Sequence, residues 1–238
     1  MPRKQAGFTL VEIAIVLVII GLLLGGVLKG QELINSAKVK NFATDFRNIP
    51  LFIYGYQDKF KALPGDDVNA TGRGFASTPG VGNGNGVING DWDSTSAADE
   101  SVLFWQHVRL AGLAAGPTAW LADPVVVGDP YVPKNADGGR IGIESGVSGF
   151  IGAQAAVAGP PAIAATPALT GSYVICSDGV LGKFAIQLDT TMDDGNTATG
   201  SMRTVNGTTS GTPHTRGQPA IQNTAIAADQ SYTVCMSM

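Results

Sequence analysis

The chain has 238 residues, enough for one membrane anchor and one domain of ordinary size. Only 14% of its residues are charged and its formal net charge is −4, which excludes a bulk attraction to nucleic acid or to an anionic membrane and leaves only a local basic patch open. Its 32 glycines and 13 prolines predict a globular part that is rich in loops.

The N-terminus consists of a short polar leader followed by an apolar run. The leader, residues 1–7, includes Arg3 and Lys4, and the run covers the 21 residues from 8 to 28. As a helix this run spans about 32 Å, close to a hydrocarbon core of about 30 Å. The basic leader predicts that residues 1–7 stay in the cytoplasm and that the rest of the chain faces outward. Since no small-residue cleavage site follows the run, we expect the anchor to be retained.

The junction between leader and anchor reads GFTLVE, from Gly7 to Glu12. A basic leader, a glycine before Phe8, an acid fifth in the chain after that glycine and then an apolar helix together resemble the cleavage and methylation site of type IV prepilins and type II secretion pseudopilins. The resemblance implies that a membrane prepilin peptidase cuts after Gly7 and methylates the new amino group of Phe8. It also implies that inner-membrane machinery assembles the subunits into a homo-oligomeric helical filament.

Glu12 is an acid inside an otherwise apolar run. A charge in mid-bilayer costs about 2.5–3.5 kcal/mol on insertion scales, so such a residue normally has a partner and a function. Cleavage after Gly7 would create a cationic amine on Phe8, one helical turn away. The resemblance implies that Glu12 pairs with the amine of the neighbouring subunit and sets the register of assembly. The alternative is an acid that merely reaches the membrane interface.

Beyond Lys29 an apolar stripe predicts a long amphipathic helix, residues 29–63. The stripe recurs at spacings of three and four through Val39, Phe42, Phe46, Ile49, Ile53, Tyr56, Phe60 and Leu63. We expect a helical spine against which a domain packs, with a coiled coil as the alternative. Pro50 is expected to bend this helix, because its ring removes a backbone hydrogen bond.

The rest of the chain predicts a head of the α+β class. A turn at residues 63–67 ends the spine, a Gly/Asn/Asp-rich loop follows over residues 70–93, and a second helix is predicted over residues 94–112. His107 on that helix is interpreted as a surface or interface residue. Short strands are predicted at Arg140–Ile143, Ser172–Cys176, Lys183–Leu188, Ser201–Val205 and Ser231–Met236. Together they predict a pilin-like fold, with the long N-terminal helix packed on a small antiparallel sheet with long Gly-rich loops.

Four stretches of the head also resemble one subgroup of pilin-like proteins from Gram-negative bacteria. They are ALPGDD (62–67), GNGNGVING (82–90), LFWQHVRLAGL (103–113) and LDTTMDDGNTATGSMR (188–203). The strings are distinctive, but they indicate no chemistry by themselves.

The two cysteines, Cys176 and Cys235, are predicted to form a disulfide. Their spacing fits no zinc or CxxC motif, and the bridge would close a loop of roughly 60 residues. The alternative is a pair of buried, reduced thiols.

Metal-binding signals are weak. The string GNGNGVIN echoes the middle of a calcium loop, but Val81 and Trp92 occupy the two anchoring positions that need acids. A looser calcium site stays open because some pseudopilins hold calcium in their loops, with plain turn chemistry as the favoured alternative. Its candidate ligands are Asp66, Asp67, Asp91 and Asp93. A weaker metal candidate comprises Asp189, Asp193 and Asp194.

Catalytic motifs are missing from the sequence. No Walker loop, GxSxG or HExxH occurs, and the two histidines, His107 and His214, stand in no recognisable acid–base or nucleophile motif. We therefore expect no enzyme, and calcium is the sole cofactor considered.

The sequence as a whole predicts a structural subunit of a type IV pilus or pilus-like filament. Its expected parts are a cleaved leader (1–7), a transmembrane and assembly segment (8–28), a helical spine (29–63) and a periplasmic or extracellular head (64–238). A minor pilin or a type II secretion pseudopilin is the first alternative, and a membrane-anchored surface binding protein is the alternative from another class. The precursor is expected in the inner membrane, in contact with lipid, and the assembled form in an extracellular filament or a periplasmic pseudopilus. Nucleic acid is not expected as a partner.

Overall fold

A computed structural model describes residues 10–75, 80–119, 129–146, 150–153, 165, 167–207 and 215–238. The chain separates into two compact units, the first ending at Lys38 and the second running from Val39 to Met238. Each unit is described here by itself.

The first element is the 51-residue helix α1, Leu10–Phe60. In the second unit it buries one stripe, as predicted: Val39, Phe42, Ala43, Phe46, Ile49, Ile53 and Tyr56. Phe60 is half-buried, and Leu63 is buried beyond the end of the helix. Pro50 lies inside α1 without ending it. The helix ends at Phe60 because Lys61 takes a left-handed backbone, with φ of 54°, and the predicted turn follows.

The described residues of the head form two further α-helices and six strands. The helices are α2, Glu100–Leu110, and α3, Gly182–Met192, and short 3₁₀ helices occupy Ala70–Arg73 and Asn223–Ala225. The strands are β1 (Ile141–Ser145), β2 (Ile151–Gly152), β3 (Tyr173–Leu181), β4 (Met202–Asn206), β5 (Gln218–Pro219) and β6 (Ser231–Ser237). Four of them form an antiparallel sheet in the order β1-β3-β6-β4, while β2 and β5 form a separate parallel pair. The expected α+β class and small antiparallel sheet are confirmed.

One predicted strand is wrong. Residues 183–188 belong to helix α3, because its buried side chains Phe184, Ala185 and Leu188 follow the spacing of one helical face. The apolar residues at 184, 186 and 188 also alternate, which is why the sequence pattern favoured a strand.

Helix α2 begins at Glu100, six residues after its predicted start at Ser94. Residues before it form turns instead, in which Ser94 donates to Asp99 at 2.5 Å and accepts from the Ser96 N–H at 3.0 Å. Side chains of this type offer the backbone an alternative to the helix. The helix is buried on nearly all sides, from Glu100 to Arg109, so it forms part of the interior of the head.

The main core lies between the stripe of α1, the helices α2 and α3, and the four-stranded sheet. Phe42 of α1 contacts Phe184 of α3 with ring centroids 6.2 Å apart. Each edge strand of the sheet makes a backbone hydrogen bond to a neighbouring segment on its outer side. On β1, the Ser145 N–H donates to the Ile88 carbonyl at 3.1 Å, and on β4, the Thr204 carbonyl accepts from the Ile221 N–H at 2.8 Å.

Candidate functional site

The N-terminal part of α1 carries the residue predicted to direct assembly. Glu12 lies in the first turn of α1 and is exposed. An acid there interacts favourably with the partial positive charge of a helix N-terminus, by about 0.3–1 kcal/mol. Gly7 and Phe8, the predicted cleavage and methylation positions, lie outside the described residues.

Residues 10–29 of α1 are exposed along their whole length. The large apolar side chains up to Leu28 expose between 46% and 91% of their surface. An apolar surface of this extent is typical of a membrane or protein contact and not of a free helix in water. Helix α1 is long enough and apolar enough to cross a membrane. None of the residues in its most apolar 18-residue stretch is buried.

In the head, residues 82–90 form a loop that we call the Asn-Gly loop, and it is folded around two buried acids. The carboxylate of Asp66 accepts hydrogen bonds from three consecutive N–H groups, those of Gly84 (2.5 Å), Asn85 (3.0 Å) and Gly86 (2.7 Å). The carboxylate of Glu100 accepts two more from the same loop, from residues 83 and 89, each at 2.8 Å. The loop therefore presents donors inward, which suits an anion. Glu100 was not singled out from the sequence, since its two loop contacts join residues that lie 11 and 17 positions apart.

Asp67 is engaged by a different set of donors. It accepts from the hydroxyl of Tyr56, the guanidinium of Arg73 and the Asn69 N–H, each at 2.9 Å. Burial disfavours the charged form of Asp67, but the bonds from Arg73, Asn69 and Tyr56 outweigh burial and hold its pKa below the ordinary value. The carboxylates of Asp66 and Asp67 are thus occupied by hydrogen bonds within the head and have a structural role.

Asp91 and Asp93, the other two calcium candidates, lie near a buried acid that the sequence did not single out. Arg216 contacts both Asp91, at 3.2 Å, and the fully buried Glu144. Burial raises the pKa of Glu144 to about 7, and the Trp92 N–H at 2.7 Å and Arg216 partly oppose that effect. Among the described residues, the four calcium candidates do not form a common cluster of oxygen ligands.

Such a cluster does form at the end of α3. One carboxylate oxygen from each of Asp189, Asp193 and Asp194 lies within 4.8 Å of the other two. Burial, then the charges of Asp194 and Asp193, raise the pKa of Asp189 to about 7. These residues come together because Asp189 ends one turn of the helix and the chain reverses just after it.

His107 is buried inside the head, contrary to its interpretation as a surface or interface residue. Its Nδ1 accepts the Gly65 N–H at 2.9 Å, so its Nε2 carries the proton and donates to the Gly80 carbonyl at 2.8 Å. Burial lowers its pKa, and the Gly80 bond and the charge of Asp67 only partly oppose this. The neutral ring therefore joins two loops and has a structural role. His214 lies outside the described residues.

Cys176 and Cys235 form a disulfide between the paired strands β3 and β6. The two residues stand opposite each other in the register, with Cα atoms 4.1 Å apart. Both are fully buried in a second core cluster of the head.

Comparison with protein families decides how the N-terminus is interpreted. Residues 2–28 match the family model of the prokaryotic N-terminal methylation motif. The chain carries the prepilin-type signal of type IV pilins and pseudopilins. Searches of curated proteins and of solved structures found no match. The prepilin-type signal covers the leader and the apolar segment, and the head is understood from its own contacts.

Proposed function

We propose that this protein is a structural subunit of a type IV pilus or pilus-like filament, made as a precursor and assembled through the N-terminal part of α1. One observation carries the proposal. The prepilin-type signal at residues 2–28 leads directly into a helix whose apolar residues are all exposed up to Leu28. A surface of this kind has to be covered, first by lipid and then by the same segment of other subunits.

The precursor is proposed to cross the inner membrane once, with its head in the periplasm. The basic residues Arg3 and Lys4 before the apolar run favour this orientation. Prepilin peptidase then removes residues 1–7 and methylates Phe8, and the inner-membrane assembly machinery transfers the subunit into the filament. The family of the motif is structural, and the proposal assigns no reaction to the chain.

Glu12 is proposed to pair with the Phe8 amine of the neighbouring subunit. A carboxylate and an amine that leave water together offset each other's desolvation, whereas either one alone would be costly. The pair would therefore fix the register between subunits while the surrounding apolar contacts supply most of the attraction.

Processing is tested by the intact mass of the protein recovered from membranes. We expect loss of residues 1–7 and the addition of one methyl group. A mature protein that still begins at Met1 would remove the basis of the proposal.

Assembly is tested with Glu12→Gln and the matched control Glu32→Gln. Glu32 lies on the same helix, is exposed and contacts only a local partner, Lys29 at 2.7 Å, among its described ion pairs. We expect both variants at normal levels in the membrane and only Glu12→Gln to be depleted from sheared filaments. Normal filaments from Glu12→Gln would contradict the pairing. A subunit that is processed but never leaves the membrane fraction would favour the alternative of a membrane-anchored binding protein.

A further inference from the structure

The dipeptide Asn-Gly occurs four times in the chain. Three copies lie in the Asn-Gly loop and begin at Asn83, Asn85 and Asn89, and the fourth begins at Asn206. In such a dipeptide the backbone nitrogen of the glycine can attack the side-chain carbonyl of the asparagine, because glycine has no Cβ to obstruct the approach. The attack requires a nitrogen that is free of other bonds, and it is faster when the carbonyl is polarised. The hydrogen bonds of the loop decide both conditions.

Asn83 and Asn85 are protected from this attack. The glycines that follow them, Gly84 and Gly86, donate their N–H groups to the carboxylate of Asp66, at 2.5 Å and 2.7 Å. Hydrogen bonds to a charged acceptor are stronger than bonds between neutral groups. The two nitrogens are therefore held by Asp66 and are not available as nucleophiles.

The nitrogen that follows Asn89 is not held in this way. Among the described residues the Gly90 N–H has no hydrogen-bond acceptor, and both Asn89 and Gly90 are exposed to water. The backbone of Asn89 is itself fixed, because its N–H donates to Glu100 at 2.8 Å. A free nucleophile thus lies next to an accessible and well-positioned side chain.

The side-chain carbonyl of Asn89 is polarised by two donors. Its Oδ1 accepts one hydrogen bond from the Nδ2 of Asn83 and one from the Nδ2 of Asn85, each at 2.9 Å. The orientation of both donors is fixed, because the Oδ1 of Asn83 accepts the Asn85 N–H at 3.0 Å and the Oδ1 of Asn85 accepts the Val87 N–H at 2.9 Å. Two donors that converge on one carbonyl oxygen stabilise the negative charge that develops there during nucleophilic attack.

We propose that Asn89 is a site of intramolecular deamidation, promoted by the side chains of Asn83 and Asn85. The Gly90 nitrogen attacks the side-chain carbonyl carbon of Asn89, and the side-chain NH₂ group leaves as ammonia with the proton of the Gly90 N–H. Water then opens the cyclic imide to aspartate or isoaspartate, so the reaction consumes one water and releases one ammonia. Either product adds one negative charge to the head. This chemistry goes beyond the proposed role of the N-terminal segment in assembly.

Asn206 provides a comparison within the same chain. It is exposed and is followed by Gly207, and its backbone is paired with β6 in the sheet. Among the described residues no donor reaches its side-chain carbonyl, so this copy of the dipeptide lacks the polarising contacts. The structure therefore predicts the fastest conversion at Asn89, a slower conversion at Asn206 and the slowest at Asn83 and Asn85.

The test incubates the full-length protein in detergent at mildly alkaline pH in water labelled with heavy oxygen. Peptide mass mapping with fragmentation measures the label at each site, since only an asparagine that reacts during the incubation takes up oxygen from water. We expect Asn89 to convert about tenfold faster than Asn83 or Asn85, whose nucleophiles are held by hydrogen bonds to a charged group. The same mapping in denaturant should bring the rates together. Equal or faster conversion at Asn83 or Asn85 in the folded protein overturns the proposal, as does an Asn89 rate that rises on unfolding.

Two variants test the chemistry at the site. Asn89→Gln keeps a side-chain amide but moves its carbonyl one bond away from the Gly90 nitrogen, so it should abolish conversion at this position. Asn85→Asp keeps an acceptor for the Val87 N–H and replaces one donor to Asn89 with a carboxylate oxygen, so it should slow Asn89 by about fivefold. The rate at Asn206 is the internal control in both variants. An unchanged rate at Asn89 in Asn85→Asp overturns the proposal.

Discussion

The Asn-Gly loop and residues 193–200, which we call the Asp-Gly loop, have similar compositions but arrange their acids differently. Both combine glycine, asparagine and nearby acids. The Asn-Gly loop turns its N–H groups inward onto Asp66 and Glu100, so the acids are satisfied by the backbone. In the Asp-Gly loop and the turn before it, one carboxylate oxygen from each of Asp189, Asp193 and Asp194 lies within 4.8 Å of the other two. Backbone direction, which composition does not reveal, decides how closely the acids of each loop approach one another.

The largest expected change in stability comes from removing the disulfide, which encloses only one of these two loops. Cys176 and Cys235 are 59 positions apart and bracket the Asp-Gly loop, whereas the Asn-Gly loop lies outside. Replacing both with alanine should lower the free energy of unfolding by about 4 kcal/mol through the entropy of the unfolded chain. Hydrogen exchange should increase most between β3 and β6. Equal increases in both loops would show that the bridge does not act on its own segment.

Asp66→Asn should be the most damaging change to the Asn-Gly loop. The amide keeps one acceptor oxygen and adds an N–H₂ group that faces N–H donors, so buried donors lose their partner. We expect a loss of about 3 kcal/mol in the free energy of unfolding, measured by chemical denaturation in detergent. Asp58→Asn, the same substitution at an exposed acid of α1, is the control and should leave the midpoint unchanged. A tolerated Asp66→Asn would mean that the loop holds its shape without this anion.

A series of glycine substitutions measures how closely the Asn-Gly loop is packed. A Cβ on Gly82 would clash with the backbone of Asp66, so Gly82→Ala should lower the free energy of unfolding by about 2–3 kcal/mol. Gly86 has open space but a φ of 82°, and Gly86→Ala should cost about 1 kcal/mol for backbone strain alone. Gly72→Ala, with neither constraint, is the control. Equal midpoints for Gly82→Ala and Gly86→Ala would contradict the close contact.

The smallest expected effect is the pH dependence of stability that arises from His107, whose ring joins Gly65 to Gly80. The pKa of His107 is lowered from 6.5 by burial, so the unfolded state binds the proton more readily than the folded state. The contribution of His107 to the free energy of unfolding should therefore be complete above about pH 6.5 and decline as the pH falls below it, because the unfolded chain gains this proton first. The raised pKa values of Glu144 and Asp189 act in the opposite direction, so the contribution of His107 has to be isolated with a variant. The measurement is the difference in unfolding midpoint between the wild-type protein and His107→Gln from pH 8 to pH 5. This difference should shrink as the pH falls, and a constant difference would contradict the assignment to His107.

The sequence predicted those parts of the molecule that are encoded by residues close together along the chain. The stripe from Val39 to Tyr56 follows the helical period, and the string from Gly7 to Glu12 matched the family motif, because both are written in consecutive residues. Helix α3 was mistaken for a strand because its apolar residues also alternate. The partners of Asp66 and the burial of Asp189 depend on contacts between distant parts of the chain, which no local pattern contains.

The edges of the four-stranded sheet bear on contacts between neighbouring subunits. An open strand edge offers unpaired N–H and C=O groups to any neighbouring chain and invites irregular pairing between sheets. In this head, Ile88 and Ile221 each make a backbone hydrogen bond to the outer side of an edge strand, β1 and β4 respectively. These bonds leave fewer backbone groups on the two edges for a second head to pair with, so β-aggregation through the edges of this sheet is disfavoured.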